Sequence, residues 1–86
     1  MSQIRIDYPD DLLIALGSTA EQFEHEARFA LGAKLYEMGR LSSGKAARLA
    51  GMDRVTFLKS LHRVGVAAID LDEKELEDEL RYVRNE

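Results

Sequence analysis

The fold is decided by residues 41–66, LSSGKAARLAGMDRVTFLKSLHRVGV, a stretch typical of two short helices joined by a tight turn. A hydroxyl of Ser42 or Ser43 can cap the first helix, and the carboxylate of Asp53 can cap the second. Gly51 lies where the first helix has to end in a left-handed conformation. The sequence therefore predicts a helix-turn-helix over residues 41–66.

Small and apolar side chains predict how this unit packs. The small side chain of Ala47 is expected to let the two helices cross closely. Helical spacing in the second helix turns Phe57, Leu61 and Val64 inward and puts Leu58 at the edge. The predicted outward positions are Val55, Thr56, Lys59 and Arg63.

Charge is distributed unevenly along the 86 residues, which carry −4 in total. Residues 1–39 have three basic and seven acidic groups, residues 40–65 have six and one, and residues 66–86 have three and eight, which gives −4, +5 and −5. The basic segment coincides with the predicted helix-turn-helix, and a local basic patch is what binding to DNA phosphates requires. The alternative is a set of solvated charges on a helical hairpin that binds no DNA.

The DNA-binding interpretation assigns a role to seven residues of the unit. A recognition helix reads base edges from its N-terminal turns and meets phosphates further along. The start of the first helix favours anions as well, because its backbone N–H groups are unpaired there. The candidates for bases are Arg54, Val55, Thr56 and Lys59, and those for phosphates are Ser43, Lys45 and Arg63.

The N-terminal segment alternates as a half-buried β-strand does, with Ile4, Ile6 and Tyr8 on one face. A single strand needs a partner. The candidates are a second predicted short strand at residues 66–69 and the same strand of another copy. Pro9 then starts a short helix that runs to Gly17.

Ser18 and Glu21 predict a capping box that opens a long helix ending at Gly39. Its main apolar stripe is Phe23, Ala27, Ala30, Leu31, Leu35 and Met38. A second, weaker stripe is Phe29, Ala33 and Tyr36. Two apolar sides predict either a subunit contact or a central helix packed on both sides. The residues predicted for dimerisation are Ile4, Ile6, Tyr8, Phe29 and Tyr36.

The C-terminal segment predicts an acidic helix that begins with a capping box of Asp72 and Glu75. Leu76, Leu80 and Val83 share one side of it. One interpretation is a leucine stripe that docks on a basic partner. The other is an exposed helix supported by ion pairs such as the one between Glu77 and Arg81.

Several functional classes are not expected. The chain has no cysteine for disulfides or thiolate metal sites. It also shows no apolar run of membrane-spanning length and no signal peptide, so we expect a cytoplasmic protein. The sequence GRLSSGK, residues 39–45, resembles a phosphate-binding loop, but Ala46 stands where a hydroxyl must hold magnesium. His25 and His62 lack further ligands at metal spacing. We expect no enzyme activity, cofactor, metal or small-molecule substrate.

The whole chain resembles uncharacterised protein family 0175, whose members look like antitoxins of the VapB kind. The resemblance covers IRIDYPDDLLIALG, AKLYEMGRLSSGKAARLAGM, FLKSLHRVGV and the acidic, leucine-bearing tail. Its most specific part is L-Y-x-x-G-x-x-S-x-G-K-A-A-x-L-A-G-M. One position departs from the usual helix-turn-helix pattern, because Ser60 stands where an apolar residue is common.

This resemblance implies a dimeric DNA-binding antitoxin that pairs with a PIN-domain ribonuclease toxin and represses its own operon. The residues predicted to meet the toxin are Leu71, Leu76, Leu80, Arg81, Val83 and Arg84. The alternatives are a stand-alone DNA-binding regulator and a protein-interaction module without DNA binding. The predicted architecture is a single, mainly α domain with residues 1–39 for core and dimerisation, 41–66 for the helix-turn-helix and 67–86 for partner binding. Its predicted order is N-terminal strand, short helix, long helix, helix-turn-helix, short strand and acidic C-terminal helix.

Overall fold

The computed structural model describes residues 2–68, and this part of the chain is mainly helical. Its α-helices are α1 (Asp11–Leu16), α2 (Ala20–Glu37), α3 (Ser43–Ala50) and α4 (Arg54–Ser60), and a 3₁₀ helix, Leu61–Val64, follows α4 directly. The predicted acidic C-terminal helix lies outside the described residues.

The long helix α2 begins one residue later than the sequence predicted. Thr19 is the N-terminal cap, and its hydroxyl accepts a hydrogen bond of 3.1 Å from the backbone N–H of Gln22. The side-chain oxygen of Gln22 accepts one in return from the backbone N–H of Thr19, also at 3.1 Å. Ser18 instead donates its hydroxyl to the Thr19 carbonyl. The capping box is therefore Thr19 with Gln22, and not Ser18 with Glu21.

The predicted N-terminal strand is wrong, since residues 2–68 contain no β-strand. Residues 2–8 make no backbone hydrogen bond to the rest of the described chain. Ile4 and Ile6 are 73% and 67% exposed. Alternating side chains form a strand only when a neighbouring strand supplies hydrogen bonds, and the described chain offers none.

The second predicted strand, at residues 66–69, is also not seen in its described part. The backbone N–H of Val66 bonds to the Leu61 carbonyl, which closes the end of the 3₁₀ helix. The Val66 side chain is buried in the core. Val66 therefore packs against the helices and does not pair in a strand. Ile69, the last residue of the predicted strand, lies outside the described range.

Helix α2 turns its weaker apolar stripe, and not its longer one, toward the core. Phe29, Ala33 and Tyr36 are buried, whereas Leu31 and Met38 from the longer stripe are exposed. The rings of Phe29 and Tyr36 both meet the Phe57 ring edge-on, with centroid distances of 5.8 and 6.0 Å. Phe29 and Tyr36, two of the three aromatic residues predicted for dimerisation, are thus packed within this chain.

Gly32 explains why this face of α2 was selected. A Cβ atom added to it would lie 2.8 Å from the carbonyl oxygen of Ala46 on α3 and 3.6 Å from Cε1 of Phe57. Ala46, Ala47 and Ala50 are all buried beside it. The close approach that the structure shows therefore lies between α2 and α3, at Gly32 and Ala46, and not at Ala47 between the two helices of the unit, where the sequence predicted it.

Helix α4 is shorter than the sequence pattern indicated. Its last residue, Ser60, donates its hydroxyl to the Thr56 carbonyl at 2.7 Å, and the chain then tightens into the 3₁₀ helix. Phe57 and Leu61 are buried as predicted, but Val64 is 43% exposed. The change of helix type rotates residues after Ser60 away from the directions of an ideal α-helix.

No helix among the described residues is long and apolar enough to cross a membrane.

We predict that Gly32→Ala lowers the free energy of unfolding by up to about 2 kcal/mol. Overpacking costs ~1–3 kcal/mol, and the better helix propensity of alanine offsets ~1 kcal/mol of it. Gly44→Ala is the matched control, since a Cβ atom there meets nothing within 4 Å, and we expect it to leave stability unchanged or slightly raised. Thermal and urea unfolding measure both, and equal effects of the two substitutions would contradict the close approach.

Candidate nucleic-acid interface

The predicted helix, turn and helix are confirmed by their caps. The Ser42 hydroxyl accepts from the backbone N–H of Lys45 at 3.3 Å and caps α3. Gly51 ends α3 with a left-handed φ of +72°. Asp53 then caps α4. These local signals join α3 and α4 through a turn of three residues.

Asp53 is held by two hydrogen bonds from Thr56. Its carboxylate accepts from the Thr56 backbone N–H at 2.9 Å and from the Thr56 hydroxyl at 2.8 Å. The backbone hydrogen bond, followed by the hydroxyl, lowers the pKa of Asp53 below its usual value of 3.8, because both stabilise the charged carboxylate. The Thr56 hydroxyl proton is therefore engaged in the cap, although the residue itself is exposed.

Ser43 does not lie where the sequence analysis expected a phosphate contact. The residue is fully buried at 0% exposure. Its hydroxyl accepts a hydrogen bond of 2.8 Å from Nε of Arg54, which ties the start of α4 to the start of α3. A buried hydroxyl cannot reach a phosphate, so Ser43 positions Arg54 instead. The pattern failed here because Ser42 and Ser43 are both good caps and only packing decides which one faces inward.

Four of the predicted contact residues share the exposed surface of the unit. Two other predicted contact residues, Arg54 and Val55, are half-buried and are not among these four. Arg40 and Arg48 add two exposed cations from the same basic segment. The four exposed predicted residues are Lys45, Thr56, Lys59 and Arg63. The buried residues of the unit are therefore apolar apart from Ser43, and its exposed charged residues are basic apart from Asp53.

Arg28 on α2 is a further cation of this region, beside the turn between α3 and α4. Its Nε donates to the carbonyl oxygen of Leu49 near the C-terminal end of α3, at 3.0 Å. Its guanidinium also lies against Gly51, where an added Cβ atom would be 3.3–3.5 Å from Nη1, Nη2 and Cζ. Arg28 belongs to the acidic segment 1–39, so no sequence signal connected it with the turn.

The other predicted sites are placed as follows. Ile4 and Ile6 are exposed, and the Tyr8 ring meets the Phe23 ring edge-on at 5.0 Å. Dimerisation stays a prediction. Phe29 and Tyr36 are buried within this chain and are therefore not surface residues that a second copy could contact. All six residues predicted to meet a toxin lie outside the described range. Among residues 2–68, no three His, Cys, Asp or Glu side chains are grouped to hold a metal ion.

We predict that Asp53 makes stability depend on acid. Because its folded pKa is lowered, its contribution is fully present above the unfolded value of 3.8 and is lost as the pH falls through the folded value. Thermal unfolding midpoints of wild type and Asp53→Asn should therefore differ by a constant amount from pH 7 to about pH 3.8 and then converge as the pH falls through the folded pKa of Asp53. Asparagine still caps a helix but does not titrate. Parallel curves for the two proteins at every pH would contradict this role.

The chain is similar to known proteins along most of its length. The model described as "Uncharacterised protein family (UPF0175)" matches residues 1–85. A UPF0175 protein of Aeropyrum pernix is 32% identical over 82 residues, which cover 95% of this chain and 86% of that protein. One of Archaeoglobus fulgidus is 32% identical over 80 residues, which cover 93% and 88%. No solved structure matches. The chain belongs to family UPF0175.

Proposed function

From this family membership and the geometry of the helix-turn-helix, we propose that the protein is a DNA-binding antitoxin without enzyme activity. It represses its own operon through α3 and α4, and it neutralises a ribonuclease toxin of the PIN type through its acidic C-terminal segment. The observation that carries the DNA-binding half is that the unit buries its apolar side chains and exposes charged ones that are mainly basic.

The exposed basic residues of the unit suit a nucleic-acid ligand because three of them form no ion pair with the rest of the described chain. Lys45 and Lys59 are exposed, as is Arg63, and none of the three forms an ion pair within residues 2–68. Asp53 is the one carboxylate of residues 40–65, and its oxygens accept the hydrogen bonds that cap α4. Unpaired cations next to a duplex displace counterions, which favours binding at low salt.

The two helices divide the work of recognition in this proposal. Helix α4 enters the major groove with its N-terminal turns, where Val55, Thr56 and Lys59 meet base edges. Arg54 is held by Ser43 and supports that end of the helix. Lys45 and Arg63 meet phosphates on either side of the groove. A homodimer would present two such units to a palindromic operator.

The toxin half of the proposal rests on the family resemblance and on charge. Residues 66–86 carry eight acidic groups among leucines, and three basic groups. The active site of a PIN-type ribonuclease is a cluster of carboxylates around a metal ion. An arginine from an otherwise acidic segment can pair with such a cluster, since guanidinium matches carboxylate in a two-point geometry. Arg81 and Arg84 are the candidates.

We predict that Lys59→Ala weakens binding to the DNA upstream of the protein's own gene by roughly 5- to 150-fold, because a lost base contact costs about 1–3 kcal/mol. Lys34→Ala is the control, since Lys34 is an exposed lysine on α2 that pairs with Glu37 at 2.8 Å. Fluorescence anisotropy at 50–200 mM salt measures both, and we expect Lys34→Ala to bind as wild type does.

Two results would contradict DNA binding as proposed. One is absence of binding by the wild-type protein at 50 mM salt, which would favour a protein-interaction module. The other is an equal loss from Lys59→Ala and Lys34→Ala, which would assign the effect to total charge and not to α4.

We predict that the double substitution Arg81→Ala and Arg84→Ala abolishes inhibition of the ribonuclease encoded by the neighbouring gene, while DNA binding is retained. The physical reason is that the carboxylate cluster would lose its cationic partner. RNA cleavage with increasing amounts of antitoxin measures this, and Lys74→Ala is the charge control. Unchanged inhibition would remove the arginines from the mechanism. A neighbouring gene that encodes no ribonuclease would favour a stand-alone regulator.

A further inference from the structure

Arg28 reaches from α2 to the turn between α3 and α4 and is fixed there on two sides. Its Nε donates to the Leu49 carbonyl, one of the last carbonyls of α3 and therefore part of the negative end of that helix dipole. The planar end of the guanidinium lies over Gly51, which has no side chain to displace it. One N–H of the five is thus used to hold the other four in a defined position.

The remaining donors of Arg28 have no partner among the described residues. No carboxylate oxygen there lies within 4.0 Å of the guanidinium, although Glu24 is one turn earlier on the same helix. Nη1 and Nη2 make no hydrogen bond to any described residue, and Arg28 is exposed. An arginine that is anchored through Nε and open at both Nη atoms matches two oxygens of a phosphate.

We propose that Arg28 binds a backbone phosphate of the DNA, which extends the interface from the helix-turn-helix onto α2. This proposal rests on the proposed function. Gly51 lies two residues before the cap of α4, so the guanidinium is next to the helix end that enters the major groove. Phosphates line both edges of that groove, and a cation held beside the entering helix meets one of them. The contact fixes the depth and angle of α4 and is indifferent to sequence.

A purely structural role for Arg28 makes a different prediction. If the residue only satisfied the Leu49 carbonyl, its loss would lower stability and leave the salt dependence of DNA binding unchanged. A phosphate contact instead contributes a fixed amount to the slope of log K against log salt, about 0.9 for each phosphate neutralised.

The test measures that slope for full-length wild type, Arg28→Gln, Arg28→Lys and Lys34→Gln on the upstream DNA and on unrelated DNA of equal length. We expect Arg28→Gln to reduce the slope by about 0.9 per bound chain and to weaken binding to both DNAs by the same factor. Arg28→Lys keeps the charge and should keep most of the slope. Lys34→Gln removes an equal charge elsewhere on α2 and should change neither quantity.

A slope that is unchanged in Arg28→Gln, with wild-type binding intact, overturns this inference and leaves the proposed function standing. Absence of salt-dependent binding by the wild type overturns both. Thermal melting verifies that each variant is folded. If Arg28→Gln is unfolded, modification of wild-type arginines by phenylglyoxal with and without DNA decides the matter by mass spectrometry. DNA should protect Arg28, and equal modification in both samples overturns the inference.

Discussion

The approach of α2 to the Ala46 carbonyl, made possible by the absence of a side chain at Gly32, is the constraint on which the other contacts depend. With the helices this close, the Phe57 ring lies between Phe29 and Tyr36 and makes edge-on contacts with both. Phe57 belongs to α4, so the position of α4 follows from how deeply α3 lies against α2. The orientation of the exposed side of the helix-turn-helix is therefore set by a backbone contact some distance from it.

The helix caps and the turn between α3 and α4 were predictable from the sequence, because each depends on a few adjacent residues. Asp53 and Gly51 have the conformations that their residue types favour. The stripe of α2 that enters the core was not predictable in this way. The longer stripe contains more apolar side chains, but only the shorter one lies beside Gly32, where the absence of a Cβ atom lets α3 approach. The expected strands failed for a related reason, since alternation describes a face and not the partner that must bind it.

The candidate interface was only partly predictable, and the two errors have a common origin. Ser43 and Arg28 both act through contacts with elements distant in sequence, one with Arg54 and the other with the end of α3. Charge counting found the exposed cations of residues 40–65 because they are adjacent in the chain. Charge counting could not show whether the Ser43 hydroxyl binds an arginine of the same chain or a ligand. It also could not assign a cation from an acidic segment to the basic surface.

The bond between Ser43 and Arg54 divides the seven-residue helix α4 into positions with different freedom to vary. A change at Arg54 would disturb a buried hydroxyl, and a change at Phe57 would disturb the core. Lys59 on the same helix is exposed and forms no ion pair within residues 2–68. Descendants of a duplicated gene can therefore acquire new surface residues on α4 without losing the fold. Paralogous copies in one genome could diverge in what they recognise while they keep the same scaffold.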